Sequence, residues 1–271
     1  MSEQQRQRWF FASSAATPLQ SRGQEGVDAS FVEICDSDVL SVKPLAQIRH
    51  QLNLLPAIVF AVTLLWISLT WLQSQTVKDA DGNIYVAVGI GKQVWMAENL
   101  KTTTYNDGRA IPLVTDEKAW KALKTPGYCW YNNDAENKDI YGALYNFYTV
   151  KTGKLCPEGW HVPTDAEWTT MVKFLGDENT AGDKLKESGT GHWKNILINA
   201  TNDFDFTALP GGTRLYSGIF PTFGNSYAVW WSATEYSSLA AYNWGLHETS
   251  SKVFKGYDSK QSGFSVRCIK D

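Results

Sequence analysis

Four cysteines and four histidines are the side chains in this 271-residue sequence best suited to redox or metal chemistry. The cysteines are Cys35, Cys129, Cys156 and Cys268, and no two of them form a CxxC pair. The histidines are scattered along the chain. A structural zinc site needs closely spaced pairs of ligands, so this spacing argues against zinc. We therefore predict no metal site and no cofactor.

Two groups of oxygen-bearing side chains resemble calcium ligands. The loop from Asn132 to Asp139 is rich in amides and carboxylates, but its composition is typical of a solvated turn before a helix. Asp79, Asp81 and Asn83 begin like an EF-hand loop, whose twelfth position requires a bidentate glutamate. That position is Ile90, which excludes an EF-hand.

Aromatic and hydrogen-bonding side chains are mixed in the tract from Tyr236 to Lys260. Such residues form recognition surfaces at a low cost in conformational entropy. If Tyr242 lies in a strand and its side chain faces the core of the domain, Asn243 and His247 face outward, because side chains alternate along a strand. The sequence therefore predicts a metal-free binding surface. Its predicted ligand-binding residues are Tyr236, Asn243, His247, Lys255 and Tyr257.

The overall composition excludes one class of partner and predicts a large core. The net charge is −3 and the pI is about 5.8, so the chain lacks the concentrated basic charge that nucleic-acid binding requires. Apolar residues make up 43% of the sequence. It contains twelve each of Trp, Tyr and Phe, and we expect most of these rings in the core.

Residues 52–72 form an uncharged apolar run long enough to cross a bilayer as one helix. Lys43 and Arg49 precede it closely, which favours a cytoplasmic N-terminus. No small-x-small cleavage site follows Leu72, so we predict an uncleaved signal anchor. The chain then divides into a disordered cytoplasmic tail (1–51), the transmembrane helix (52–72), a short linker (73–76) and a domain outside the cytoplasm (77–271).

Strands, then helices, then strands follow one another in the 77–271 domain, which predicts an α+β fold. The turn signal Asp81-Gly82 lies in an opening meander of short strands. Apolar spacing predicts two main helices, over Asp139 to Val150 and over Thr164 to Leu175. The second opens with a capping box, in which Thr164 and Glu167 satisfy each other's backbone N–H groups.

Ordered motifs across residues 77–271 resemble the Fibrobacter succinogenes major paralogous domain, a family of surface or secreted bacterial domains. They include GKQVWMAENL (91–100), CPEGWHVPTDAEW (156–168), WSATE (231–235) and GFSVRC (263–268). The VPTDAEW segment and the Gly-Phe-x-x-Arg ending are also similar to formylglycine-generating sulfatase-modifying enzymes. That similarity implies a C-type-lectin-like fold with short antiparallel strands, preceded here by the transmembrane helix.

The resemblance to those enzymes does not imply their oxidase activity. Their chemistry needs a redox-active pair of cysteines in the C-terminal part, where this chain has only Cys268. The calcium-binding motifs of sugar-binding C-type lectins are absent from the sequence as well. We therefore expect no enzyme activity.

The C-type-lectin-like fold implies a disulfide between Cys156 and Cys268, because it packs the segment before the capped helix against the last strand. Cys129 would then be a buried free thiol, and Cys35 would stay reduced in the cytoplasm. A Cys129–Cys156 bridge is the competing pairing.

These expectations describe a single-pass membrane protein whose C-terminal domain lies in the periplasm or at the cell surface. Its expected function is to bind a surface glycan or protein without catalysis. A structural role in the cell envelope without a specific ligand is the alternative, and a formylglycine-generating oxidase is a weaker one.

Overall fold

The computed structural model of the protein describes residues 75–194, 199–222 and 226–271, all of which belong to one compact unit. The predicted tail (1–51) and transmembrane helix (52–72) lie outside these residues. No helix within the described ranges is long and apolar enough to cross a membrane. Gln75 and Thr76 belong to the predicted linker, but they are the first two residues of a strand.

Short strands dominate the described residues, with helices inserted between them. The strands are β1 (Gln75–Lys78), β2 (Ile84–Ile90), β3 (Gln93–Met96), β4 (Tyr128–Trp130), β5 (Ala143–Asn146), β6 (Trp160–His161), β7 (Tyr227–Glu235), β8 (Ala240–His247), β9 (Val253–Ser259), β10 (Gly263–Phe264) and β11 (Ile269–Lys270). The α-helices are α1 (Glu117–Ala122), α2 (Lys138–Tyr141), α3 (Phe147–Val150), α4 (Asp165–Leu175) and α5 (Ala181–Leu185). Two 3₁₀ turns cover Tyr131–Asn133 and Ala135–Asn137.

The strands form three antiparallel sheets, in the orders β1-β2-β3-β11-β6, β10-β5-β4 and β7-β8-β9. The chain is therefore mixed α and β, as predicted. β11, at the C-terminal end, pairs with both β3 and β6, so the last strand lies inside the sheet that the opening meander begins.

The opening meander is confirmed, and a buried carboxylate holds its first turn. Gly82 adopts a φ of +87°, a conformation that glycine reaches without steric cost. Asp79 is 7% exposed and accepts hydrogen bonds from the N–H groups of Asp81 and Asn83. The Tyr85 hydroxyl donates to the same carboxylate over 2.6 Å.

Helix α4 forms where the sequence predicts it, and its capping box is present. The Thr164 hydroxyl accepts from the Glu167 N–H, and the Glu167 carboxylate accepts from the Thr164 N–H. The buried side chains of the helix are the predicted apolar stripe, Trp168, Met171, Val172 and Leu175.

The other predicted helix, Asp139 to Val150, is wrong as a continuous element. α2 ends at Tyr141. Its cap residue Gly142 has a φ of +73°, and an added Cβ would lie 2.8 Å from the Leu100 carbonyl oxygen. Strand β5 follows, pairs with β4 and β10, and is buried at all four residues before α3 begins. A short run of buried apolar residues fits strand or helix equally well by periodicity, and here sheet pairing decides. The domain therefore has one main helix, α4, and not two.

Apolar side chains from both faces of the β7-β8-β9 sheet enter the core. On one face Trp231 and Ala241 join a cluster with Tyr145 and Phe147. On the other face Trp230 joins a second cluster around α4. With a third cluster around Trp120, 16 of the 28 aromatic residues in the described ranges are buried, as the composition predicts.

The predicted Cys156–Cys268 disulfide is present, with the two Cα atoms 6.0 Å apart. It links the segment before β6 and α4 to the segment before β11. Cys129 is a buried free thiol, which excludes the competing Cys129–Cys156 pairing. Burial raises the pKa of Cys129 to about 12, so this thiol is protonated and unreactive at neutral pH.

Candidate functional site

Three tyrosines and a lysine meet at one end of the β7-β8-β9 sheet. Antiparallel register places Tyr242 of β8 opposite Tyr257 of β9, and Trp244 opposite Lys255, so all four side chains share one face. Tyr236 follows β7, and its N–H donates to the Ala240 carbonyl across the hairpin turn. We call Tyr236, Tyr242, Lys255 and Tyr257 the tyrosine face.

The rings of the tyrosine face are ordered against one another and remain accessible. Those of Tyr236 and Tyr257 stack with centroids 3.9 Å apart and planes 8° apart. Tyr242 meets Tyr236 edge-on, with centroids 5.3 Å apart. Tyr236 is 48% exposed and Tyr257 57% exposed, so a ligand can contact them without unfolding the hairpin. Because the rings already hold one another, binding costs them little conformational entropy.

The charges beside the tyrosine face are paired. Lys255 Nζ lies 2.8 Å from Asp165 Oδ2 and 4.3 Å from the centroid of the Tyr242 ring. Asp165 also accepts a hydrogen bond from Trp244 Nε1 at 3.1 Å. Lys255 therefore ties the face to the first residue of α4. The electrostatic and hydrogen-bonding effect of the neighbouring Tyr257 phenol raises the pKa of Tyr236 above its ordinary value.

The structure brings together three of the five predicted binding residues, Tyr236, Lys255 and Tyr257. Asn243 is 5% exposed, so our expectation that it faces outward is wrong. Its side chain points to the face opposite Tyr242. In the middle of the sheet, that opposite face is covered by the core. His247 lies on that opposite face too, where its ring packs 4.4 Å from that of Tyr227.

Asp165 is the member of the site that the sequence did not reveal. At the start of α4 its charge is favourable to the helix dipole, which already explains an acidic residue there. Its contact with Lys255 spans 90 residues of sequence, and no local pattern indicates a contact at that separation.

A second feature is a cleft of about 290 Å³ on a different part of the domain, which we call the arginine cleft. Its floor includes Asn99 and Arg267. Its walls and rim are formed by Val86, Ala97, Glu98, Lys101, Asp139, Ile140, Gly142, Asp205, Thr207 and Leu209.

Asn99 is the centre of a buried polar network under this cleft. Its side-chain oxygen accepts from Trp230 Nε1 at 2.8 Å and from Arg267 Nε at 3.1 Å. Its amide nitrogen donates to the Tyr141 carbonyl at 2.9 Å and to the Ser265 hydroxyl at 3.3 Å. All four hydrogen-bonding positions of the amide are therefore used.

Arg267 completes the network with its guanidinium. It donates to the carbonyls of Phe206 and Thr207 and lies 4.0 Å from the centroid of the Phe206 ring. Burial lowers the pKa of Arg267 to about 9, so the side chain remains charged at neutral pH. Asn99 and Arg267 come from the WMAENL and GFSVRC motifs, which are far apart in sequence and meet here.

Comparison with known proteins agrees with the motifs. The model of the Fibrobacter succinogenes major domain family matches residues 88–270. No curated protein and no solved structure matches the chain. The family match covers well over half of the 271 residues. The chain therefore belongs to the Fibrobacter succinogenes major domain family.

Proposed function

We propose that this protein is a non-catalytic binding module that presents its tyrosine face to a surface glycan or protein. The observation that carries the proposal is the stacked, half-exposed pair of Tyr236 and Tyr257. Tyrosine is enriched in recognition surfaces because it offers a large contact area and a hydroxyl with few rotatable bonds. Exposed aromatic rings that are held in place in this way suit binding better than catalysis.

We propose a C-type-lectin-like fold for the domain. Three features support it: the order of strands and helices, the position of β11 between β3 and β6 in the first sheet, and the Cys156–Cys268 bridge beside α4. The fold itself implies no activity, so the functional argument remains with the site.

The state of the cysteines supports a non-catalytic role over an oxidase. A thiolate nucleophile needs an accessible sulfur with a lowered pKa. Cys268 is fully buried and bonded to Cys156, and Cys129 is buried with a raised pKa. A structural envelope role without a ligand is the second candidate, and a screen for ligands distinguishes it from a binding role.

Changing Tyr257 or Tyr236 to alanine is expected to weaken ligand binding at least tenfold, since central aromatic residues typically contribute more than about 1–2 kcal/mol to an interface. The purified 271-residue chain is first screened on glycan and surface-protein arrays, and the variants are then titrated with the ligand found. Tyr216→Ala is the matched control, because Tyr216 is 56% exposed but lies on a loop beside α1.

Stability should change little in all three variants, because each tyrosine is about half exposed. If the Tyr236 and Tyr257 variants bind the ligand as tightly as the parent chain does, the binding surface does not include these tyrosines. If neither array yields a saturable ligand, a structural envelope role becomes the better account.

We also propose that residues 52–72 anchor the protein, with the N-terminus in the cytoplasm and the domain in the periplasm or at the cell surface. The uncharged run and the preceding Lys43 and Arg49 support this orientation. Alkaline phosphatase fused after Asp271 should be active, and β-galactosidase fused at the same place should be inactive. The reverse pattern of reporter activity contradicts the proposed topology.

A further inference from the structure

The floor of the arginine cleft contains a buried cation with spare hydrogen-bond donors. A guanidinium has five N–H donors, and those of Arg267 that are used go to Asn99 Oδ1 and to the carbonyls of Phe206 and Thr207. One N–H on each terminal nitrogen therefore has no acceptor among the described residues. No carboxylate of the described ranges forms an ion pair with Arg267, although its side chain is only 1% exposed. An anionic acceptor such as a carboxylate is favourable at such donors.

The rim of the cleft carries charge of the opposite sign. Glu98 and Asp205 are exposed, and neither side chain has a hydrogen-bond or ion-pair partner within residues 75–194, 199–222 and 226–271. Lys101 and Asp139, also at the rim, neutralise each other over 3.1 Å. The negative charge of Glu98 raises the pKa of Arg267 and so partly offsets the lowering by burial. The unpaired charges are thus one cation on the floor and two carboxylates at the rim.

The loop that carries Asp205 is held in a costly conformation. Asp205 has a φ of +53° and Thr207 a φ of +49°, a region in which a β-branched residue is rare. The Asn202 side-chain oxygen holds the turn by accepting from the Thr207 N–H at 2.7 Å. Glycine adopts such angles at lower cost. The Asp205 carboxylate is exposed and makes no bond within the loop, so it is free to contact a ligand.

The walls of the cleft are aliphatic and the space is small. Val86, Ala97, Ile140 and Leu209 line it, and the volume is about 290 Å³. Ligand pockets begin at roughly 300 Å³, so this cleft fits a ligand with few heavy atoms. Covering Ile140, which is 48% exposed, with an apolar group on the ligand is favourable.

We propose that the arginine cleft binds a free α-amino acid with an aliphatic side chain. Its carboxylate accepts hydrogen bonds from Arg267, and its ammonium group lies at Glu98 and Asp205. Its side chain packs on the aliphatic walls. The site is separate from the tyrosine face, and its ligand belongs to a different chemical class.

Three probes that differ by one charge test the proposal. L-Leucine, N-acetyl-L-leucine and L-leucinamide are titrated calorimetrically into the purified full-length chain. We expect leucine to bind with a dissociation constant no weaker than about 1 mM. The acetylated probe lacks the ammonium charge and the amide lacks the carboxylate, so each should bind at least about tenfold more weakly.

Two isosteric variants remove the rim charges without changing the fold. Asp205→Asn suits the positive φ, because asparagine tolerates this conformation as well as aspartate does. Asp205→Asn and Glu98→Gln should each weaken leucine binding about two- to fivefold, the range for an exposed ion pair, while leaving the affinity for N-acetyl-leucine unchanged or higher. Asp203→Asn is the matched control, because Asp203 lies exposed in the same loop and does not line the cleft.

Each remaining outcome overturns the proposal. If leucine does not bind, the cleft is not an amino-acid site. If N-acetyl-leucine binds as tightly as leucine, the cleft recognises anions only, and if leucinamide does so, it recognises cations only. Retained leucine affinity in both rim variants would also refute the assigned role of Glu98 and Asp205. Tyr257→Ala should leave leucine binding unchanged, which separates this result from the test of the tyrosine face.

Discussion

Replacing Asn99 with alanine should lower the free energy of unfolding by about 3–5 kcal/mol, because it leaves several buried polar groups without partners. Trp230 Nε1 and Arg267 Nε lose their acceptor, and the Tyr141 carbonyl and Ser265 hydroxyl lose their donor. The largest share of this loss comes from Arg267, because leaving a buried charged donor without an acceptor destabilises the fold more than leaving a neutral one. Urea unfolding followed by tryptophan fluorescence measures the change.

Asn106→Ala is the matched control for this experiment. Asn106 is exposed, and its side chain makes a single hydrogen bond, from Nδ2 to the Cys156 carbonyl over 3.1 Å. Losing that bond should cost no more than about 1 kcal/mol. If both variants lose the same stability, the polar network under the arginine cleft does not hold the fold together in the way its geometry indicates.

Local signals in the sequence predicted those elements whose formation depends on neighbouring residues. The Asp81-Gly82 turn needs a glycine at positive φ, and the capping box needs only Thr164 and Glu167. The apolar stripe of α4 is also a local pattern, because three to four residues return the helix to the same face. Each of these predictions is confirmed.

The predictions that failed concern strands that are buried on both faces. β5 is buried at all four positions, so it lacks the alternation of polar and apolar residues that identifies a half-exposed strand. The middle of β8 is also covered on both faces, and Asn243 is therefore buried. Period-2 reasoning assumes one solvated face, and this domain packs both faces of its third sheet.

The candidate sites depend on contacts that no local pattern specifies. Asn99 and Arg267 are 168 residues apart, and Asp165 and Lys255 are 90 apart. The motifs that contain Asn99 and Arg267 identify the family, but neither motif specifies their contact. That contact depends on the pairing of β11 with β3.

Removing the Cys156–Cys268 bridge is the second change with a large expected effect. The bridged residues are separated by 112 positions, so reduction greatly increases the conformational entropy of the unfolded chain. The chain-entropy relation gives a stabilisation of about 4–5 kcal/mol for a loop of this length. Both sulfurs are buried in the core, so the double variant Cys156→Ala/Cys268→Ala also loses packing.

Cys129→Ala separates the packing loss from the loss of the bridge. Cys129 is as buried as Cys268 but makes no disulfide, so its replacement removes one sulfur and nothing else covalent. We expect the double variant to lose at least about 2 kcal/mol more than twice the Cys129→Ala loss. Urea unfolding of each chain under oxidising conditions gives both values.

The same bridge connects stability to location. Disulfides form in oxidising compartments and are rare in the cytoplasm, so the proposed export of the domain would supply this stabilisation. Chain retained in a reducing cytoplasm should unfold at a lower urea concentration than oxidised parent chain, but at a higher one than the double variant, because it keeps both buried sulfurs. If the double variant unfolds like two additive Cys129→Ala changes, the bridge contributes no stability and the domain does not need an oxidising environment to fold.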